Sequence, residues 1–215
     1  ADADTLIFTG RVSGANITGL HSSGDLASFS AQSSATFNDI GDGAQVSFGA
    51  GADAGTFAGT IGVASVYGGA AADTFDFNGA VGAATIDAGA GADTLTFTNV
   101  ALNGTTLAGG TDNDAFSGNV TIGASGVSFW GGLGDDTFNF TSITNGGGTA
   151  YFWNEGGTDL TSSFLTLTTL IRVFKPLNIW VQSGRSSQST DQSPQRNARR
   201  VLTVEGLRRD SNEER

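Results

Sequence analysis

The amino-acid sequence predicts an all-β chain: a right-handed parallel β-solenoid (β-roll or β-helix) followed by a non-repetitive C-terminal tail. Three observations predict it. A Gly-rich motif closing on aspartate recurs along the chain, its anchors Asp53, Asp73, Asp93, Asp114 and Asp136 falling 20, 20, 21 and 22 residues apart. Around each anchor, apolar and polar residues alternate with a period of two, the mark of strands with one buried face. The segments are also rich in Gly (33 of 215 residues) and Thr, and each Gly inside a helix would cost up to about 1 kcal/mol relative to Ala.

The repeat register justifies the elements in turn. At the start, Leu6 and Phe8 follow Asp4 at the offsets that Ala27 and Phe29 keep from Asp25. The interval from Asp25 to Asp53 is 28 residues, which predicts an inserted loop or irregular coil near Gln32 to Gly43. From residue 44 to 160 the pattern is clearest. Seven places before each anchor stand Val46, Val66, Ile86, Leu107, Phe129 and, for a weaker copy ending on Asp159, Phe152. Two places after it come Phe75, Leu95, Phe116 and Phe138, and four places after it Phe57, Phe77, Phe97 and Phe140. Each unit therefore reads as a Gly-rich turn, a short strand such as TFDF, a second turn at Asn78-Gly79 or Asn103-Gly104, and a strand such as AATIDA. Equivalent residues of successive coils should stack about 4.8 Å apart, so seven or eight coils would make a rod roughly 35 Å long. The Phe rows are expected as core packing, not as a ligand site.

Charge and composition divide the chain near residue 160. Residues 1–160 carry 16 acidic side chains against a single base, Arg11, whereas residues 161–215 carry 9 bases and 5 acids. Both prolines, Pro176 and Pro194, lie in the second part. The expected organisation is a solenoid over 1–160, capping strands within 161–181 and a disordered basic tail over 182–215; a shifted reading frame would leave the same discontinuity. An acidic rod repels nucleic acid and anionic membrane and attracts divalent cations. The tail arginines lack interleaved aromatics, which points away from nucleic-acid recognition. With no Cys, there is no disulfide framework and no thiol chemistry. The longest apolar stretch, Phe164 to Val181, is broken by Arg172, Lys175 and Pro176, so no membrane span is expected. No cleavable leader is visible at Ala1.

The turns carry the chemistry. In GGLGDDTFN the glycines Gly131, Gly132 and Gly134 suit positive φ and inward-facing carbonyls, and Asp136 supplies a carboxylate. Ca²⁺ takes six to eight hard oxygens, many of them main-chain carbonyls. Stacked turns would let an ion between two coils draw on both. These repeats resemble the RTX (hemolysin-type) calcium-binding nonapeptide GGxGxDxUx, which Gly131, Gly132, Gly134, Asp136 and Phe138 match at every fixed place. The other copies depart: Ala71, Ala88, Asp112 and Phe48 replace glycines. The coil is also about 20 residues with the motif on one edge, where the family places binding turns on both. The opposite edge reads as Asn-Gly and Gly-Ala turns without carboxylates. The resemblance implies a row of Ca²⁺ sites at Asp73, Asp93, Asp112, Asp114 and the Gly131 to Asp136 turn, with weaker ones at Asp53 and Asp159. The alternative is that Gly and Asp only make tight turns, Asp capping backbone amides.

Enzymatic chemistry is not expected. His21 is the only histidine, leaving no partner for a zinc site or a nucleophile-base pair. Carboxylate pairs such as Asp112 with Asp114, or Asp135 with Asp136, would suit a polysaccharide-cleaving β-helix, but the bases that bind an acidic sugar are nearly absent from the rod. Three functions follow: a calcium-binding structural repeat of an extracellular, secreted or cell-surface protein; a virion or surface-layer fibre or decoration that folds without calcium, with end-to-end or lateral self-association; or an ice- or glycan-binding solenoid. The third would need a regular outward TxT array, and copies such as Thr94-Thr96 and Thr166-Thr168 do not make a regular one.

Overall fold

In a computed structural model, residues 2–153, 155–157, 160–163, 170–174, 178–181 and 200–202 are described, with side chains for those up to 157. The described chain has no helix. It is a β-solenoid of two parallel sheets whose strands are contributed alternately. Ten strands, among them Ser65–Ala70, Thr85–Ala90, Thr105–Thr111, Val127–Leu133 and Thr149–Trp153, form the first sheet. Nine more, among them Ala54–Phe57, Thr74–Phe77, Thr94–Leu102, Ala115–Ile122 and Thr137–Asn145, form the second. Past the clear repeats, Leu160–Ser163, Leu170–Phe174 and Asn178–Val181 continue the two sheets in parallel. Arg200–Leu202 pairs antiparallel with Leu170–Phe174. Asp159 lies outside the described residues, as does most of the tail read as disordered.

The alternation seen in the sequence becomes two inward-facing walls. On the first sheet, Val46, Val66, Ile86, Leu107, Phe129 and Phe152 align in consecutive register and are buried. On the second, Phe37, Phe57, Phe77 and Phe97 stack with ring centroids 5.3, 4.8 and 5.1 Å apart and planes within 14° of parallel. The centroid spacing matches the inter-strand distance, so each coil adds one ring per row. The row has one gap. Gly118 replaces Phe and the strand bulges between Gly118 and Asn119, after which Phe140 approaches Phe97 at 6.1 Å.

Phe48 is a departure from the motif that packing explains. It occupies the place where Gly68, Gly109 and Gly131 stand in later coils, and it is buried against Phe29 at 5.1 Å, nearly parallel. Gly55, at a place that holds Phe75 in the next coil, makes the room: a Cβ there would come within 3.2 Å of the Phe48 ring and 2.9 Å of Phe75. The coil exchanges a small turn residue and a large strand residue for the reverse, conserving volume.

The start of the chain corrects the expected register. Ser33 pairs in the position of Asp53, because Ser34 aligns with Ala54. Asp25 instead precedes Leu26, which aligns with Gln45 and through it with Ser65. Asp4 and Asp25 therefore belong to the opposite edge, in line with Ala44, Ala64 and Ala84. No insertion separates Asp25 from Asp53; the 28-residue interval joins aspartates on different edges. The opposite edge is accordingly not free of carboxylates, since Asp25, Asp39 and Asp42 lie along it.

Candidate functional site: a buried aspartate column

Each Gly-rich turn joins a strand of the first sheet to one of the second, and places its aspartate just before the second begins. Asp53, Asp73, Asp93, Asp114 and Asp136 are each at most 3% exposed. Their backbones pair as a ladder: the N–H groups of Thr74, Thr94, Ala115 and Thr137 donate to the carbonyls of Asp53, Asp73, Asp93 and Asp114 at 2.8 to 2.9 Å. A second ladder runs through the side chains. The N–H of Asp53 donates to Oδ1 of Asp73 at 2.7 Å, Asp73 to Asp93 at 2.7 Å, Asp93 to Asp114 at 2.8 Å and Asp114 to Asp136 at 2.9 Å. The N–H of Ser33 donates to Oδ1 of Asp53, extending the ladder to the coil that lacks an aspartate. Part of the alternative read from sequence thus holds, in that these aspartates accept backbone amides.

The second oxygen is different. Oδ2 of Asp53, Asp73, Asp93 and Asp114 is buried and has no hydrogen-bond partner. A buried carboxylate oxygen without a donor or counter-charge is costly, and the titration follows. Burial, opposed by the N–H bond to Oδ1 and reinforced by neighbouring carboxylates, pushes Asp73 up to about 7 and Asp114 up to about 8. Asp93 rises to about 6 for the same leading reason, with Asp112 and Asp87 adding charge. Asp53 and Asp136 are raised as well, again chiefly by burial.

The motif glycines are explained by close approach. A Cβ on Gly109 or Gly131 would fall 2.2 or 2.1 Å from Oδ2 of Asp114 or Asp136, so the first glycine leaves room for the carboxylate that folds back over it. The second glycine column faces the coil below. A Cβ on Gly89, Gly110 or Gly132 would sit 2.3, 1.9 or 2.0 Å from the carbonyl oxygen of Gly69, Gly89 or Gly110. At the place of Gly134 (φ 135°), Ala71 holds φ 73° and Asp112 φ 78°, the left-handed strain expected there.

Of the residues singled out in the sequence, the fold brings Asp53, Asp73, Asp93, Asp114 and Asp136 into one column, with Gly131, Gly132 and Gly134 in the turn above it. Asp112 does not join: it is exposed, at the bend itself, close enough to raise Asp93 and Asp114 by its charge. Asp135 is likewise exposed beside buried Asp136, so neither suggested carboxylate pair shares one cleft. His21 is exposed on the opposite edge. Among the described residues, no three acidic or histidine side chains converge as a metal-binding group. A cation in the column would therefore take one carboxylate per coil and draw its remaining oxygens from turn carbonyls and water. The unpartnered Oδ2 atoms and their hard oxygen chemistry fit such an ion.

Sequence reasoning missed two features. Ser33 keeps the register without a carboxylate, and no motif marks it. A set of aromatic side chains on the outer face of the first sheet was also missed, although Tyr67, Trp130 and Trp153 stand at one repeat position. Comparison with family models, with curated proteins and with solved structures finds no match. No helix among the described residues is long and apolar enough to cross a membrane.

Proposed function

We propose that the chain is a non-enzymatic structural repeat of an extracellular, secreted or cell-surface protein, and that its aspartate column takes up Ca²⁺. The observation that carries this reading is the line of buried, unpartnered Oδ2 atoms on Asp53, Asp73, Asp93 and Asp114. Each is a carboxylate oxygen sealed from water, whose charge a cation or a proton must compensate. The likeness of Gly131 to Asp136 to the RTX nonapeptide favours the cation. Bound Ca²⁺ supplies positive charge that neutralises the column and lowers the cost of burying it. The chain's own residues do the rest: Asp73, Asp93, Asp114 and Asp136 hold the oxygens in line through their backbone ladders, and the glycines let carbonyls and carboxylates approach within one turn.

The test is thermal unfolding of the full chain by circular dichroism at neutral pH, in calcium and in excess chelator. Calcium at about 1 mM, the range in which extracellular modules bind, should raise the midpoint, and Asp93→Asn with Asp114→Asn should flatten the rise. Superimposable melts of the wild-type protein in calcium and in chelator would overturn the reading.

A further inference from the structure

The outer face of the first sheet carries two columns that neither the core nor the aspartates use. One is hydroxylated: Ser65, Thr85, Thr106 and Ser128 lie in consecutive register. Beside it, two residues further along each strand, run Tyr67, Asp87, Ala108, Trp130 and Trp153. The indoles of Trp130 and Trp153 stack at 4.9 Å with planes 10° apart. Both rings stay partly accessible, and Tyr67 is 37% exposed. Ala108 opens a gap in the aromatic column. The gap is an open groove of about 430 Å³ floored by Thr106, Ala108 and Gly110, with Asp87 on one side, Trp130 on the other, and Glu155 also lining it.

We propose that this groove and its Trp pair bind a neutral polysaccharide, which lies along the solenoid axis. A flat indole offers an apolar face to the C–H face of a pyranose ring, and the amphipathic aromatics suit surfaces that are apolar and wet by turns. Asp87, Glu155 and Thr106 offer acceptors for sugar hydroxyls on the same groove. An apolar peptide would cover both carboxylates without giving them partners, which is unfavourable; hydroxyls satisfy them. Charge selects among sugars. Among the described residues lining the groove there is no base to pair a sulfate or uronate, and its carboxylates repel both. The columns repeat at the strand spacing, which matches a ligand of repeating units better than a single small molecule. This inference does not require calcium in the aspartate column, although the turn glycines Gly131 and Gly132 also line the groove.

Affinity electrophoresis of the full chain through gels containing hydroxyethylcellulose, with alginate gels and a polylysine titration as comparisons, tests it. The expected result is retardation in hydroxyethylcellulose alone, with Trp130→Ala weakening it about tenfold. Trp130→Phe, which keeps a stacking ring, should retain part of the affinity, and Asp87→Asn and Glu155→Gln should each weaken it several-fold, as expected when one hydrogen-bond acceptor is lost. Equal mobility of wild-type protein with and without the glucan overturns the proposal. So does equal retardation of wild type and Trp130→Ala, or quenching of tryptophan emission by polylysine but not by the glucan, which would mark the face as a cation-binding one.

Discussion

Asp25 and Asp93 are both buried aspartates in Gly-rich bends, but they lie on opposite edges of the solenoid and their carboxyls titrate in opposite directions. Asp25 receives two amides: the N–H of Asp4 donates to Oδ1 at 2.8 Å and that of Ser22 to Oδ2 at 2.7 Å. Those bonds, the Asp4 one first, hold it below the ordinary carboxylate value. Asp93 receives one, from Asp73, and its other oxygen has none; burial then dominates and lifts it to about 6. More amide donors, the His21 side chain nearby and weaker desolvation keep Asp25 ionised, whereas desolvation leaves Asp93 calling for a proton or a metal. The remainder of the opposite edge needs neither, because Leu20, Ile40, Ile61, Val81 and Leu102 bridge coil to coil as an aliphatic row.

The sharpest way to break this comparison is to fill one glycine on each edge. Gly110→Ala, on the aspartate edge, puts a Cβ 1.9 Å from the Gly89 carbonyl oxygen at φ 116°, and no side chain can give way. It should abolish cooperative unfolding in urea. Gly104→Ala, on the opposite edge, meets nothing closer than 3.4 Å at φ 74°, and should cost about 1–2 kcal/mol, the strain alone.

The pH dependence sharpens it next. Asp73, Asp93 and Asp114 have folded values of about 7, 6 and 8, above the unfolded value of 3.8. Raised carboxylates bind more protons folded than unfolded. Their contribution is complete below the unfolded value and is lost as pH rises through 6 to 8. In chelator, the midpoint of thermal unfolding should therefore fall between pH 5 and pH 8. Asp93→Asn should remove part of that fall and raise the midpoint at pH 8 by roughly 2–4 °C; an unchanged or lowered midpoint would contradict the assigned titration. Smallest, and opposite in sign, is Asp25→Asn. Its lowered value gives stability present above the unfolded value and lost as pH falls through the folded one, so the substitution should lower the midpoint at pH 7 and matter less in acid.

Much of the fold was legible because a solenoid writes its geometry as a period. The −7, +2 and +4 positions around each anchor became the buried rows, and Ala71 and Asp112 took the positive φ that their place demands. What the sequence obscured has definite causes. Asp4 and Asp25 imitate the anchor offsets, since both edges lead into strands with the same alternation; nothing local distinguishes one bend from the other. Ser33 hides because the backbone ladder at its position needs an amide, not a carboxylate. The column itself was readable residue by residue, but the split between the two oxygens of each carboxylate was not, because it depends on the amide of the preceding coil. The outer aromatics were invisible to a search for buried periodicity, although Trp130 and Trp153 hold equivalent places in neighbouring coils.

The side-chain ladder also has a direction. The amide of Asp73 finds its acceptor in Asp93, that of Asp93 in Asp114, and that of Asp114 in Asp136: each winding is finished by the one that follows it. A chain delivered from its N-terminus would hold its latest winding incomplete until the next arrived, so closure advances in step with delivery and lags it by a single turn.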